Sequence, residues 1–278
     1  MVEARTPAGR IIRLSVRTDP FALGYRNHLG LGISLHSGTK TLVDRLARLP
    51  QVLNIVETSG RYDIIAWTIS RDTENLLDLV SEALGDSPGI DSVEMLSTLK
   101  VVKSSWEYLQ PESNPGYVTP WRDDRELDTL DLSIVNELQA DPRQSIAKIA
   151  KKLNIHRSIV DRKLKDLEEQ NVIRVTSLVN LRSLGYQISG PMLFRVKPSK
   201  ILTVAEQLSS YWNVRQLTVI SGSHQLYGWV VFKDSSELKA FIKNELDNIP
   251  EILHCEYLPV LSVVKMSFWI PASISDDR

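Results

Sequence analysis

The chain has 278 residues, 42% of them hydrophobic and 24% charged, with a formal net charge of -1 and one cysteine, Cys255. That profile suits a globular protein of two or three domains, excludes an internal disulfide and a cysteine cluster for zinc, and fits a reducing cytoplasm. Apolar runs such as Leu226 to Phe232 are too short to cross a bilayer, and a near-zero net charge leaves any nucleic-acid surface to local clustering.

The opening residues, MVEARTPAGR, contain no signal-peptide core. Alternation of apolar and polar residues before Leu35 predicts a strand. Leu42, Val43, Leu46 and Leu49 then recur at helical spacing behind Ser37, an expected N-cap. The β-branched runs Val52 to Val56 and Ile64 to Ile69 flank Ser59-Gly60 and predict a hairpin. Asp72 starts a second helix with Leu76, Leu79, Val80 and Leu84 facing inward, and Pro88-Gly89 closes it before a strand from Ile90 to Val102. The reading is β-α-β-β-α-β: two helices on one face of an antiparallel sheet, the ferredoxin-like arrangement. The other face of the sheet is apolar in places and is expected to pack on a second copy.

Trp106 to Glu126 follows, with Pro111, Asn114, Pro115, Gly116 and Pro120, a density that predicts a linker. From Leu127 to Arg174 three short helices are expected. Leu130, Ile134, Val135 and Leu138 form the apolar stripe of the first. Ser145 caps the second, with Ile146, Ile149, Ala150 and Leu153 inward. Asn154 stands where a tight turn needs a left-handed residue. In the third helix Val160, Leu164 and Leu167 face inward, which leaves Ser158, Asp161, Arg162 and Lys165 on one outward face. Two helices joined by a short turn, the second presenting such a face, make a helix-turn-helix. Between Arg143 and Lys165 stand eight cations (Arg143, Lys148, Lys151, Lys152, Arg157, Arg162, Lys163, Lys165) against one acid, Asp161. This cluster supplies phosphate attraction. Arg162 and Lys165 could read guanine edges, and Asp161 could accept from cytosine. A plain solvated helix, with Asp161 favouring its N-terminal half, is the alternative.

The rest of the chain repeats its beginning. At a constant offset of 162 residues, Ser59-Gly60 and Trp67 align with Ser221-Gly222 and Trp229. The same offset carries Leu46, Val52, Asp72, Leu84, Pro88 and Lys103 onto Leu208, Val214, Asp234, Leu246, Pro250 and Lys265. Upstream, Ile11–Tyr25 matches Val172–Tyr186 at an offset of 161. Two copies of one domain are therefore expected.

Leu127-Asp-Thr-Leu-Asp131, Asp141-Pro-Arg143, Ile149-Ala150 and Arg162…Leu167-Glu-Glu resemble the DNA-binding domain of the Lrp/AsnC (feast/famine) regulators. The wing Val172-Ile173 leading to Leu184-Gly185-Tyr186 is similar too. Gly60-Arg-Tyr-Asp63 with Asp72, Pro88-Gly89-Ile90 and Thr98 looks like that family's effector domain, called RAM. The resemblance implies an α+β protein: two ferredoxin-like βαββαβ (RAM) domains and one winged helix-turn-helix. It divides the chain into a first RAM domain with its preceding wing strands (1–106), a linker (107–126), the winged helix-turn-helix (127–182) and a second RAM domain (183–278). It implies binding to double-stranded DNA, at least a homodimer, and an amino acid or related small molecule as effector. The expected DNA-binding residues are Ser145, Lys152, His156, Arg157, Ser158, Asp161, Arg162 and Lys165. The expected effector residues are Gly60, Arg61, Tyr62, Asp63 and Thr98.

Departures from the family pattern shape these expectations. His156 stands where the family's recognition helix usually has a Ser cap. Gln225 and Val260 stand opposite Asp63 and Thr98, so a carboxylate suited to a ligand's ammonium group is present only in the first copy. The alternative is that Gly60 is a hairpin glycine and Asp63 caps a strand end. Duplication of whole units would also place a second helix-turn-helix before Gly9. Either it was lost, or the natural chain is longer by one helical domain of about 45–50 residues.

Other chemistry finds little support. His28, His36, His156, His224 and His254 show no close metal-ligand spacing, so no metal is expected. Gly30-Leu-Gly32 lacks the third glycine of a dinucleotide loop, and the P-loop-like stretch ending in Lys40 has the wrong spacing, so no cofactor is expected. No nucleophile-base-acid set is visible, so catalysis is not expected. Siroheme decarboxylases have similar domains, so a related enzyme is the main alternative, followed by a DNA-free sensor or assembly protein.

Overall fold

Residues 4–5, 11–85, 87–105, 127–179, 181–267 and 270 are described by the structure, a computed structural model; the expected linker 107–126 lies outside them. In chain order, β1 (Ala4–Arg5) and β2 (Ile11–Thr18) precede the first copy. That copy is β3 (Asn27–Leu35), α1 (Thr39–Arg48), β4 (Val52–Thr58), β5 (Ile64–Ser70), α2 (Thr73–Leu84) and β6 (Ile90–Ser104). Next come α3 (Thr129–Ala140), α4 (Ile146–Leu153), α5 (Arg157–Glu169) and β7 (Ile173–Val179). The second copy is β8 (Ile188–Val196), α6 (Ile201–Ser210), β9 (Val214–Ile220), β10 (Leu226–Phe232), α7 (Ser235–Asn244), β11 (Ile252–Tyr257) and β12 (Val260–Met266). Among the described residues no helix is long and apolar enough to cross a membrane.

Contacts group these elements into two units that are discontinuous in sequence: residues 1–26, 122–179 and 267–278 in one, 27–121 and 180–266 in the other. The second unit holds both copies in one nine-stranded sheet of order β11-β8-β10-β9-β6-β3-β5-β4-β12. At the 162-residue offset, β11 and β12 together are the counterpart of β6, interrupted at Leu258-Pro259. The first part of β6 pairs with β3 of its own copy, and its second part crosses to β9. Likewise β11 pairs with β8, and β12 crosses to β4. Thr98 lies opposite Ile220 and Val260 opposite Thr58, which are equivalent pairs. The order therefore returns on itself. Each copy's last strand covers an edge that the other copy would leave open, the usual liability of a sheet.

Three apolar cores result. Leu31, Ile33, Leu42, Leu46, Ile55 and Ile64 are packed together in the first copy, and Phe194, Leu208, Leu217, Val230, Phe232 and Phe241 in the second. A third core is shared by the copies: Tyr62, Ile65, Trp67 and Leu96 meet Leu193, Tyr227, Trp229 and Leu258. This is the second surface that the apolar strand faces require. Gly30 and Gly32 have a packing role in it. A Cβ on Gly30 would lie 3.0 Å from the Trp67 ring, and one on Gly32 would lie 2.6 Å from the Tyr62 ring.

The repeated lysines clamp the copies. Lys103 Nζ donates to the Tyr211 carbonyl (2.8 Å) at the end of α6, and Lys265 Nζ donates to the Leu49 carbonyl (2.7 Å) at the end of α1. Each cation satisfies orphan carbonyls at the negative end of the other copy's helix. Burial, then the nearby Arg215, pushes the Lys103 ammonium down to about 8.

In the first unit, β2 and β7 pair antiparallel about Ser15 and Thr176. These positions are equivalent at the 161-residue offset, so the duplicated wing strands pair with each other. Asp128 and Asp131 form a reciprocal capping box on α3, and Ser145 accepts from Lys148 N on α4 (3.3 Å). One local expectation changes. Gly38, in the left-handed region at φ 78°, is the N-cap of α1 in place of Ser37, and no side chain caps that helix.

Candidate nucleic-acid interface and effector site

The turn between α4 and α5 is tight because Asn154 adopts φ 54° and ψ 45°. His156 fills the N-cap role at α5: its Nδ1 lies 3.4 Å from Ser158 N and 2.8 Å from Ser158 Oγ. The departure from a Ser cap is thus met by an imidazole acceptor. Val160 and Leu167 anchor the inner face of α5, while His156, Arg157, Ser158, Arg162 and Lys165 are exposed and Asp161 is half-buried. The expected outward residues therefore do share one side of the helix.

Charge on that side is less naked than the sequence count suggests. Lys152 pairs with Glu137 of α3, Lys148 with Asp141 (3.4 Å), and Lys163 with Asp128 (2.6 Å) and Asp131 (3.0 Å). Hydrogen bonds to Asp128 and Asp131 raise the Lys163 pKa. Lys163 therefore braces α5 against α3. Lys165 is paired with Asp161 one turn earlier at 3.0 Å. Arg143, Lys151, Arg157 and Arg162 have no ion pair among the described residues and project as exposed cations.

The structure brings only part of the expected effector set together: Gly60–Asp63 lies at one seam, against the second copy's Glu256–Pro259, whereas Thr98 lies opposite Ile220 at the other seam, beside the Ser221-Gly222 hairpin. Gly60, at φ 114°, turns the β4–β5 hairpin, as Gly222 does at φ 109° in the second copy. Ser59 N donates to the Pro259 carbonyl (3.0 Å), and the equivalent Ser221 N donates to the Ser97 carbonyl (2.9 Å), so each hairpin is tied to the other copy's long strand. Arg61 reaches Glu256 across one seam at 3.0 Å. At the other, Glu94 accepts from Tyr62 Oη (2.5 Å) and from Ser223 N (2.8 Å). Burial opposes ionisation of Glu94, yet these hydrogen bonds hold its carboxyl below the usual range.

Asp63 serves the backbone, since its Oδ2 accepts from Leu35 N at 2.7 Å. Gln225 Oε1 does the same for Val196 N at 2.9 Å, so an amide replaces the carboxylate without loss of that bond. The symmetric contact was not readable from one Asp and one Gln. Thr98 Oγ1 lies 3.1 Å from His28 Nδ1, and the His28 ring lies 4.8 Å from Trp67.

Burial pushes the His28 imidazole down to about 4, below its ordinary value of 6.5. The folded state therefore favours the neutral ring. This contribution is complete above about pH 6.5 and is lost as pH falls toward 4. Because His28 keeps some exposure, the expected loss is on the order of 1–2 kcal/mol. Urea midpoints of the wild type should fall through this window, and His28→Gln should flatten that part of the profile. An unchanged profile would assign the acid sensitivity to other groups.

Comparison with known proteins agrees with this architecture. The Lrp/AsnC ligand binding domain matches residues 30–107 and 192–270, and the AsnC-type helix-turn-helix domain matches 127–168. An uncharacterized HTH-type transcriptional regulator of Pyrococcus horikoshii is 31% identical over 144 residues, 51% of this chain and 91% of its own. The HTH-type transcriptional regulator LrpA of the same organism is 32% identical over 124 residues, 44% of this chain and 88% of its own. The chain belongs to the Lrp/AsnC family of transcription regulators, with its ligand-binding domain present twice. The siroheme decarboxylase NirDL shares the fold at a TM-score of 0.62 and 16% identity, over 91% of this chain and 77% of that one.

Proposed function

We propose that this regulator reads double-stranded DNA with the outer face of α5 and acts without catalysing a reaction. In this reading Arg162 and Lys165 address base edges, with Ser158 and Asp161 beside them. Lys152, Arg157, His156 and the Ser145-capped start of α4 hold the phosphates. The observation that carries it is the exposure of Arg162 and Arg157, free of ion pairs among the described residues, on a helix whose opposite side is fixed by Val160, Leu167 and the Lys163 brace. The helix-turn-helix matched at 127–168 addresses one half-site, and in this reading a palindromic site is served by a homo-oligomer of at least two chains. The protein would work in the cytoplasm, beside its operator. The likeness to a decarboxylase is one of fold, which does not carry chemistry with it.

The effector reading places an amino acid or related small molecule at Gly60, Arg61, Tyr62 and Asp63, where it would act on the seam and so on assembly; Thr98, opposite Ile220 at the other seam, falls outside that site. Asp63 Oδ1 is the carboxylate oxygen not used by Leu35 N and would accept the ligand's ammonium group. Fluorescence anisotropy on DNA upstream of the gene, with and without an amino-acid panel, tests both parts. Asp63→Asn keeps an oxygen for Leu35 N and should cost under about 1 kcal/mol in stability. It should weaken the effective amino acid at least tenfold while leaving DNA affinity without effector unchanged. An unchanged effector response would remove Asp63 from the site, and salt-insensitive or absent DNA retention would remove the DNA-reading role.

A further inference from the structure

The histidines lack metal-ligand spacing in sequence, yet the fold joins two of them. His224 ends the hairpin turn before β10, while His254 and Glu256 alternate on β11 and so share a face. Cys255, between them, packs against the helix-covered core of the second copy. One ligand atom from each of His224, His254 and Glu256 lies within 4.8 Å of the other two. The His224 and His254 ring centroids are 6.3 Å apart.

The set is pre-positioned. Ser223 Oγ lies 3.0 Å from His224 Nδ1, which orients the buried ring and leaves Nε2 for a ligand, the arrangement that supports metal-bound histidines. Glu256 is held from the other copy by Arg61 at 3.0 Å. At the equivalent first-copy positions stand Tyr62, Ser92 and Glu94, which include no imidazole.

We propose that His224, His254 and Glu256 form a binding site for a divalent late first-row transition metal ion such as Zn²⁺, with open positions left for water or a small ligand. Two imidazoles and one carboxylate suit such ions better than Mg²⁺ or Ca²⁺, which take oxygen ligands. Ligands at about 2.0–2.2 Å around a tetrahedral ion lie about 3.4 Å apart. His254 is exposed and Glu256 half-buried, so both can close the remaining ångström or so by side-chain rotation. The ion would compete with Arg61 for Glu256, and its arrival would therefore alter a contact between the copies.

The test uses the full chain without a polyhistidine tag, stripped with EDTA. Zn²⁺ is followed by titration calorimetry and Co²⁺ by its visible absorption. One ion per chain should bind in the micromolar range or tighter. His254→Ala and Glu256→Gln, both away from the buried ring, should each weaken binding at least tenfold. His36→Ala removes an exposed histidine bonded to Asp91 elsewhere and should change nothing. Absence of one-to-one binding, or affinities unchanged in both ligand variants, would overturn the site.

Discussion

Arg162→Ala is expected to lower affinity for the native operator about 10- to 100-fold, since a bidentate contact to a base edge is worth about 1–3 kcal/mol. Arg162 is exposed and makes no ion pair among the described residues, so its guanidinium reaches DNA without first breaking an internal contact. Lys165 must leave Asp161, but an exposed pair one helical turn apart opposes this by only about 0.3–0.5 kcal/mol. Lys165→Ala should therefore weaken binding too, by less if Lys165 meets only phosphate. The two roles separate experimentally. Loss of a base contact relaxes sequence preference at one position, whereas loss of a phosphate contact weakens all sequences alike and lowers the salt slope by about one. Anisotropy titrations over a salt series, on native and substituted operators, measure both. Full affinity in both variants would mean that another surface reads the DNA.

The largest expected stability effect lies in the core that the two copies share. Trp67 is 5% exposed, and its ring centroid lies 4.8 Å from those of both His28 and Tyr227. Trp67→Ala should cost about 3–5 kcal/mol, the transfer term plus the cavity left by an indole. The cavity would open beside Tyr227 of the second copy, so the loss should appear in the unfolding of both copies together. Urea denaturation followed by far-UV circular dichroism measures it. A loss under about 1 kcal/mol, or separate transitions for the copies, would show that the shared core does not couple them.

Much of this was legible in the sequence, for an identifiable reason. The repeat survives as residues that a fixed backbone demands: Gly60 and Gly222 at positive φ, Asp72 and Asp234 as helix caps, and Lys103 and Lys265 on the facing helix ends. Asn154 and Ser145 were legible because a left-handed turn and an N-cap are local chemistry. What escaped depends on partners far along the chain. The acids that pair Lys152 and Lys163 come from α3 and its cap, outside the stretch in which charge was counted. The use of Asp63 on Leu35 spans a strand pair, and His224 meets His254 only because a hairpin turn lies beside β11. Ser37 is not the cap because the helix begins one residue later than expected, at a left-handed Gly38 that only a residue without a Cβ adopts without strain.

The pairing of two copies within one chain changes how such a protein can evolve. A symmetric homodimer writes every substitution into both halves of its interface at once, so a change that helps one side must be tolerated on the other. Here each half has its own codons. Arg61 faces Glu256 at one junction while Ser223 faces Glu94 at the other, and Tyr62 has His224 as its counterpart. One junction could keep an inherited ligand preference while its twin drifts to a different chemistry. A single polypeptide could then integrate two unlike signals, and because association is intramolecular, dilution would not separate the two halves.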